Sequence, residues 1–304
     1  MQRRYVTVDV FSDRAFGGNP LAVVLDAEGL STAQMQAIAT EFNYSETTFV
    51  LPPRDAAHDA QVRIFTVRSE IPFAGHPNVG TAFVLATRAK KAGARMLFEE
   101  QAGLVPLEIL TEGGNVTGAE LTAPQPLKRL TRFDAEQAGA CASLSAADVR
   151  TDRHPPQIVS VGLPFLVFEV ATRQALRRAR PDADAFARTL PCDGSHMIYF
   201  YTRDVPVKEK PCDLQARMFH PGVSGLSEDP ATGSATVAAA ALLAELSSEA
   251  NAEFRLCIGQ GVDMGRPSLL LTRVYKQAGA IVSAHVGGHC ALVMEGTFRL
   301  AGKG

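Results

Sequence analysis

Two titratable residues far apart in the chain occupy similar local settings. His76 precedes Pro77 in the run Ala74-Gly75-His76-Pro77, and Asp229 precedes Pro230, with Gly233-Ser234-Ala235 just beyond. Proline suits the first turn of a helix, so helices are expected from Pro77 to about Thr87 and from Pro230 to about Leu246. The start of a helix carries unpaired backbone N–H groups and a partial positive charge. Two such ends facing one cleft would make a place for a carboxylate or a developing enolate oxygen. Two titratable groups of different type at that place suit proton transfer. Each residue also has a plainer reading: Asp229 as a simple N-cap, and His76 as a turn residue.

Glu46 is the third candidate. It lies in Asn43-Tyr44-Ser45-Glu46-Thr47-Thr48-Phe49, where a helix ends and a strand begins. By composition it is an ordinary loop glutamate. Its neighbours are hydroxylic and aromatic, however, and a carboxylate among them loses solvation. Its pKa then rises toward the range a general acid/base needs.

The elements that must position these residues repeat. The run Pro77-Asn78-Val79-Gly80-Thr81-Ala82 lines up with Pro230-Ala231-Thr232-Gly233-Ser234-Ala235, which puts His76 opposite Asp229. Arg63-Ile64-Phe65 matches Arg217-Met218-Phe219, and Gly18-Asn19-Pro20 with its apolar run matches Gly162-Leu163-Pro164. The matches are collinear and about half a chain apart, which predicts two domains, 1–127 and 128–304, with the last strand free to return to the first half. Residues 125–132 read as a linker. A helix capped by Ser31 uses Met35, Ile38 and Ala39 as its apolar face. Alternating stretches around these helices predict an α+β fold, each half a mostly antiparallel sheet wrapped around one central helix.

Composition narrows the function. Thirty Lys and Arg against 32 Asp and Glu leave a net charge of −2, with no long basic run and no Trp, so a nucleic-acid surface is not expected. Five dispersed cysteines without a CxxC pair predict a reduced, cytoplasmic protein without a zinc site. The apolar stretch 235–246 is too short to span a bilayer. Gly259-Gln260-Gly261 lacks the third glycine of a dinucleotide fingerprint. His285 and His289 lie four apart in a Gly-rich, strand-like run, where they would not share a helix face to bind a metal. Arg266 is either a turn residue or a ligand for a substrate carboxylate.

The stretches VDVFSDRAFGGNPLAVV, NYSETTFV, FAGHPNVGTAFVLA and GLSEDPATGSA together resemble the phenazine-biosynthesis PhzF-like isomerase family, in family order across nearly the whole chain. The resemblance implies a duplicated fold like that of diaminopimelate epimerase. It also implies a cofactor-independent isomerase, a homodimer acting on a small carboxylate-bearing molecule. In such an enzyme Glu46 would move the proton, and His76, Asp229 and Ser234 would assist. Asn19, Gly75 and Gly233 would bind substrate. The epimerase relatives carry a cysteine at each central-helix start; this chain has Ala74-Gly75-His76 and Asp229-Pro230 there, which argues against a two-thiol racemase. The alternative reading is a non-catalytic small-anion-binding or scaffold protein that keeps the cleft.

Overall fold

The computed structural model describes residues 2–206, 212–222 and 225–300. The chain divides into two compact units, one of Met1–Leu121 with Gly287–Gly304 and the other Thr122–Val286. The second unit therefore begins ahead of the expected boundary at 127/128.

The first unit contains β1 (Gln2–Val10), β2 (Asn19–Val24), α1 (Thr32–Phe42), β3 (Glu46–Leu51), β4 (Ala60–Thr66), β5 (Glu70–Ile71), α2 (Gly75–Ala89), β6 (Arg95–Glu100), β7 (Gly103–Glu112) and β8 (Asn115–Thr122). Hydrogen bonding runs β1–β2–β3–β4–β6–β7–β8, and the strand over residues 280–299 pairs with both β1 and β8, which closes the ring. The helix α2 sits within it. Every residue from Gly75 to Val84 is buried, the pattern of a helix packed on all sides. Gly80 lets it approach the strands: a Cβ there would meet Leu21 and Val10 side-chain carbons at 2.7 Å. Outside the ring, α1 lays Met35, Ile38 and Ala39 on Phe49 and Phe65, the face its sequence predicted.

The second unit contains β9 (Lys128–Arg132), α3 (Ala135–Ala140), β10 (Val149–Arg150), β11 (Gln157–Ser160), β12 (Pro164–Val170), α4 (Arg173–Arg178), α5 (Ala183–Thr189), β13 (Ile198–Thr202), β14 (Leu214–Gly222), β15 (Gly225–Asp229), α6 (Gly233–Glu245), β16 (Ala252–Gln260) and β17 (Ser268–Gln277). The 20-residue strand β18 (Ala280–Arg299) follows. Its order is β9–β11–β12–β13–β14–β16–β17, with α6 as its buried central helix. Five of the eight residues of the expected linker thus form the strand β9.

The sheets are mixed: antiparallel pairs are the majority, as expected, and parallel pairs occur in both units. β2–β3 and β4–β6 are parallel in the first unit, and β12–β13 and β14–β16 in the second. Each parallel pair is joined through helix: α1, α2, α4 with α5, and α6 respectively. A parallel neighbour needs such a crossover, whereas a hairpin can only return antiparallel. From β1 to β7 and from β11 to β17 the pairing sense follows one order: antiparallel, parallel, antiparallel, parallel, antiparallel.

Both central helices start elsewhere than their prolines suggested. The first begins at Gly75, with Pro77 third; the second begins at Gly233, three residues past Pro230. The third helical residue still needs no N–H partner, so proline fits there too. The hairpins before the helices correct the repeat register. Phe65 opposes Glu70 while Phe219 opposes Glu228, and next to them Ile64 opposes Ile71 while Met218 opposes Asp229. In fold terms Asp229 therefore corresponds to Ile71, and His76, the second helical residue, corresponds to Ser234. Small-residue helices slide past one another in sequence at little cost in similarity, and the two hairpins differ in length, so alignment on proline chose the wrong pairing.

Candidate active site

In the first unit three predicted residues meet where β2, β3 and α2 all begin. Asn19 opens β2, Glu46 opens β3 beside it with Leu21 opposite Glu46, and His76 lies in the first turn of α2. Asn19 Nδ2 lies 3.4 Å from His76 Nδ1, and His76 Nε2 lies 3.3 Å from Glu46 Oε2. Asn19 and His76 are buried, whereas the Glu46 side chain keeps 18% of its exposure. Burial drives the His76 pKa down to about 3, so at neutral pH the ring is an uncharged imidazole and its approach to Glu46 is not an ion pair. An amide N–H donating to Nδ1 leaves the ring proton on Nε2, the nitrogen that lies near the carboxylate. Asn19 therefore selects the tautomer. The expected result is a His76 ring resonance that does not titrate between pH 5 and 8 by NMR; a midpoint near 6.5 would contradict it.

In the second unit Asp229 ends β15 and Ser234 lies in the first turn of α6. Asp229 is not the N-cap. That position is Thr232, whose hydroxyl donates to Asp229 Oδ2. Between Ala231 and Leu242 only Ser234 is not buried, so its hydroxyl is the accessible group of that turn. Gly75 and Gly233 are the first residues of their helices, and both are buried.

The helix starts themselves distinguish these places. The starts of α1, α3, α4 and α5 are closed by side chains of Ser31, Asp134, Thr172 and Asp182. Neither α2 nor α6 has a side-chain cap. First-turn N–H groups in buried surroundings call for an acceptor, and an anionic group of a substrate is a suitable one.

Several residues that shape the site were not legible as motifs. Gln260 is wholly buried; its Nε2 donates to the Asp229 carbonyl at 2.8 Å and to Thr232 Oγ1 at 3.0 Å, and its Oε1 accepts from the Thr232 N–H at 3.1 Å. The flanking glycines give it room: a Cβ on Gly261, whose φ is +71°, would sit 2.6 Å from the Pro230 carbonyl oxygen. A glutamine between two glycines on a strand was the available signal. His285 lies on β18, bonded to Thr122 and Ser283, and His289 lies on the same strand, not on a helix.

Glu100 is the other buried carboxyl here. Both its oxygens are closed to solvent, and it faces Asn78, whose Nδ2 donates to the Ala74 carbonyl at 3.0 Å. Burial raises its pKa to about 8. Below about 4.5 both folded and unfolded chains hold this proton, and between 4.5 and 8 only the folded chain does. The wild type therefore loses stability as pH rises through that window. Glu100→Gln should unfold at higher denaturant than wild type at pH 9, with the difference fading toward pH 4. Equal midpoints at pH 9 would refute a buried neutral acid.

A neutral imidazole, a carboxylate beside it and the uncapped start of α2 are groups suited to moving a proton. A family model described as phenazine biosynthesis-like protein matches residues 8–296. An uncharacterised isomerase of Mesorhizobium japonicum is 38% identical, with 97% of this chain and 98% of that protein covered. The trans-2,3-dihydro-3-hydroxyanthranilate isomerase of Pseudomonas chlororaphis is 35% identical, over 97% and 99%. The crystal structure of a Bacillus anthracis PhzF-family phenazine biosynthesis protein superposes with a TM-score of 0.87 at 24% identity, covering 99% and 100% of the two chains, and shows the same fold. The chain belongs to the phenazine biosynthesis-like, or PhzF, family of isomerases. No helix among the described residues is long and apolar enough to cross a membrane.

Proposed function

We propose that the protein catalyses a cofactor-independent proton shift between carbons of a small carboxylate-bearing substrate, of the kind named for its dihydro-hydroxyanthranilate isomerase relatives. The observation that carries this is the Glu46–His76–Asn19 arrangement at an uncapped helix start. Glu46 takes a proton from carbon and returns it at a second carbon. His76, as neutral imidazole, donates from Nε2 to the oxygen on which charge develops, and the first-turn N–H groups at Gly75 share that load. Asp229, Ser234 and Gly233 are the candidates in the second unit, suited to holding a polar substituent of a substrate. Asn19 acts through the His76 tautomer. The common order of pairing sense and the matched Arg–Glu hairpins support an internally duplicated, diaminopimelate-epimerase-like origin. The five cysteines, all free thiols, fit a reducing, cytoplasmic setting.

The test is turnover of trans-2,3-dihydro-3-hydroxyanthranilate in D₂O, with the chelated enzyme alongside. Expected are deuterium at one product carbon, as the Glu46 proton exchanges between steps, and full activity after chelation. Activity lost on chelation and restored by a divalent metal would overturn the proposal.

A further inference from the structure

The position of the Thr232 hydroxyl proton follows from its neighbours. Gln260 Nε2 is a donor only, and it points at Thr232 Oγ1 from 3.0 Å. The same amide group also donates to the Asp229 carbonyl, and its Oε1 is occupied by the Thr232 N–H. Thr232 Oγ1 therefore receives a hydrogen bond from Gln260 and has one proton left to give. Its remaining close partner is Asp229 Oδ2, to which it donates. Gln260 is fully buried and Thr232 nearly so, and Ser268 Oγ fixes the intervening chain by donating to the Pro230 carbonyl at 3.0 Å. The set is directional: amide to hydroxyl to carboxylate.

We infer that Thr232 and Gln260 are positioning residues that hold Asp229 as an oriented, proton-accepting carboxylate at the start of α6. The inference deepens, and rests on, the reading of Asp229 as part of the isomerase machinery. It assigns different duties to two carboxylates. Glu46 exchanges its proton with substrate, while Asp229 is held as an acceptor, its Oδ2 receiving the Thr232 hydroxyl. Chains of donors aimed one way strengthen each member, so Gln260 acts on Asp229 without touching substrate.

Gln260→Glu tests it with almost no change of shape. The variant still accepts the Thr232 N–H, but it has lost the amide donor and offers a carboxylate that competes for the Thr232 hydroxyl proton. With trans-2,3-dihydro-3-hydroxyanthranilate as the probe, kcat should fall about 10–100-fold while KM stays within about twofold. Thr232→Ser should keep wild-type kcat, and Thr232→Val should lose it as Gln260→Glu does. Thermal midpoints of each variant separate this from simple unfolding. A substrate-free readout is the hydroxyl proton of Thr232, expected as a slowly exchanging NMR resonance in the wild type and in Glu46→Gln but absent in Gln260→Glu. The inference is overturned if that resonance is missing from the wild type, or if Gln260→Glu turns over at the wild-type rate. A fully active Glu46→Gln whose Thr232 resonance persists would instead remove the proton-shift reading and leave the Thr232–Gln260 geometry intact.

Discussion

Glu46→Gln should slow turnover by about 10²–10⁴-fold while the protein remains folded. That is the usual contribution of a positioned general acid/base and corresponds to roughly 3–5.5 kcal/mol of transition-state stabilisation. The amide has the shape of the carboxylate, so the local packing at the start of β3 is retained. It has no basic oxygen able to take a proton from carbon. KM should change little, since the proposed function gives the substrate's anionic group to the first-turn N–H groups at Gly75 rather than to Glu46. Steady-state kinetics with matched circular-dichroism melts is the measurement. A variant with full activity on the true substrate would falsify the assignment of Glu46 as base.

Arg217→Ala should destabilise the second unit by about 3–5 kcal/mol, the cost of stranding one partner of a buried pair. The guanidinium side chain is 6% exposed. It grips Glu228 through two parallel bonds of 2.8 and 2.7 Å, donates to the carbonyls of Leu176 and Ala179 at 2.9 Å, and lies 4.8 Å from the Phe219 ring centroid. Truncation leaves the Glu228 carboxylate and the end of α4 without their donor. Glu228 immediately precedes Asp229, so the residual folded protein should also lose activity. The double variant Arg217→Ala/Glu228→Ala should be less destabilised than the two single changes added together, since it removes the stranded charge. The first unit has the same clasp, Arg63 on Glu70 at 2.7 Å for both bonds, but with side chains 23% and 25% exposed. Water screens that pair, and breaking it should cost no more than about 1 kcal/mol. Urea unfolding of the four variants distinguishes these expectations; equal losses at Arg63 and Arg217 would show that burial is not what sets the cost.

The clasps also show how legible the fold was. Arg63-Ile64-Phe65 and Arg217-Met218-Phe219 were visible as a repeat because the same packing demands the same side chains: an arginine for a carboxylate on the next strand, and an aromatic ring beneath its guanidinium. The α1 face of Met35, Ile38 and Ala39 was visible for a similar reason, since amphipathic spacing is written into a helix half-exposed to water. The central helices carry no such spacing, being buried all round, so their starts and their relative register were misjudged. The parallel strand pairs were missed because a strand's own residues do not state which neighbour it meets after a crossover.

The residue types alone pointed toward acid–base chemistry. Glu46 among hydroxylic neighbours, His76 and Asp229 beside prolines, and small residues around them are local features, and local features are encoded locally. Tertiary structure decided the rest, because it depends on which groups share a buried space. Burial made His76 neutral and Asn19 chose its tautomer from a different strand. Pairing of Met218 with Asp229 set the correspondence of His76 with Ser234 rather than with Asp229. Gln260, distant in sequence and unremarked between its glycines, became a partner of Thr232 and Asp229 only when β16 was laid beside β14. A hydrogen bond has a direction and a length, and both exist only after the chain has folded.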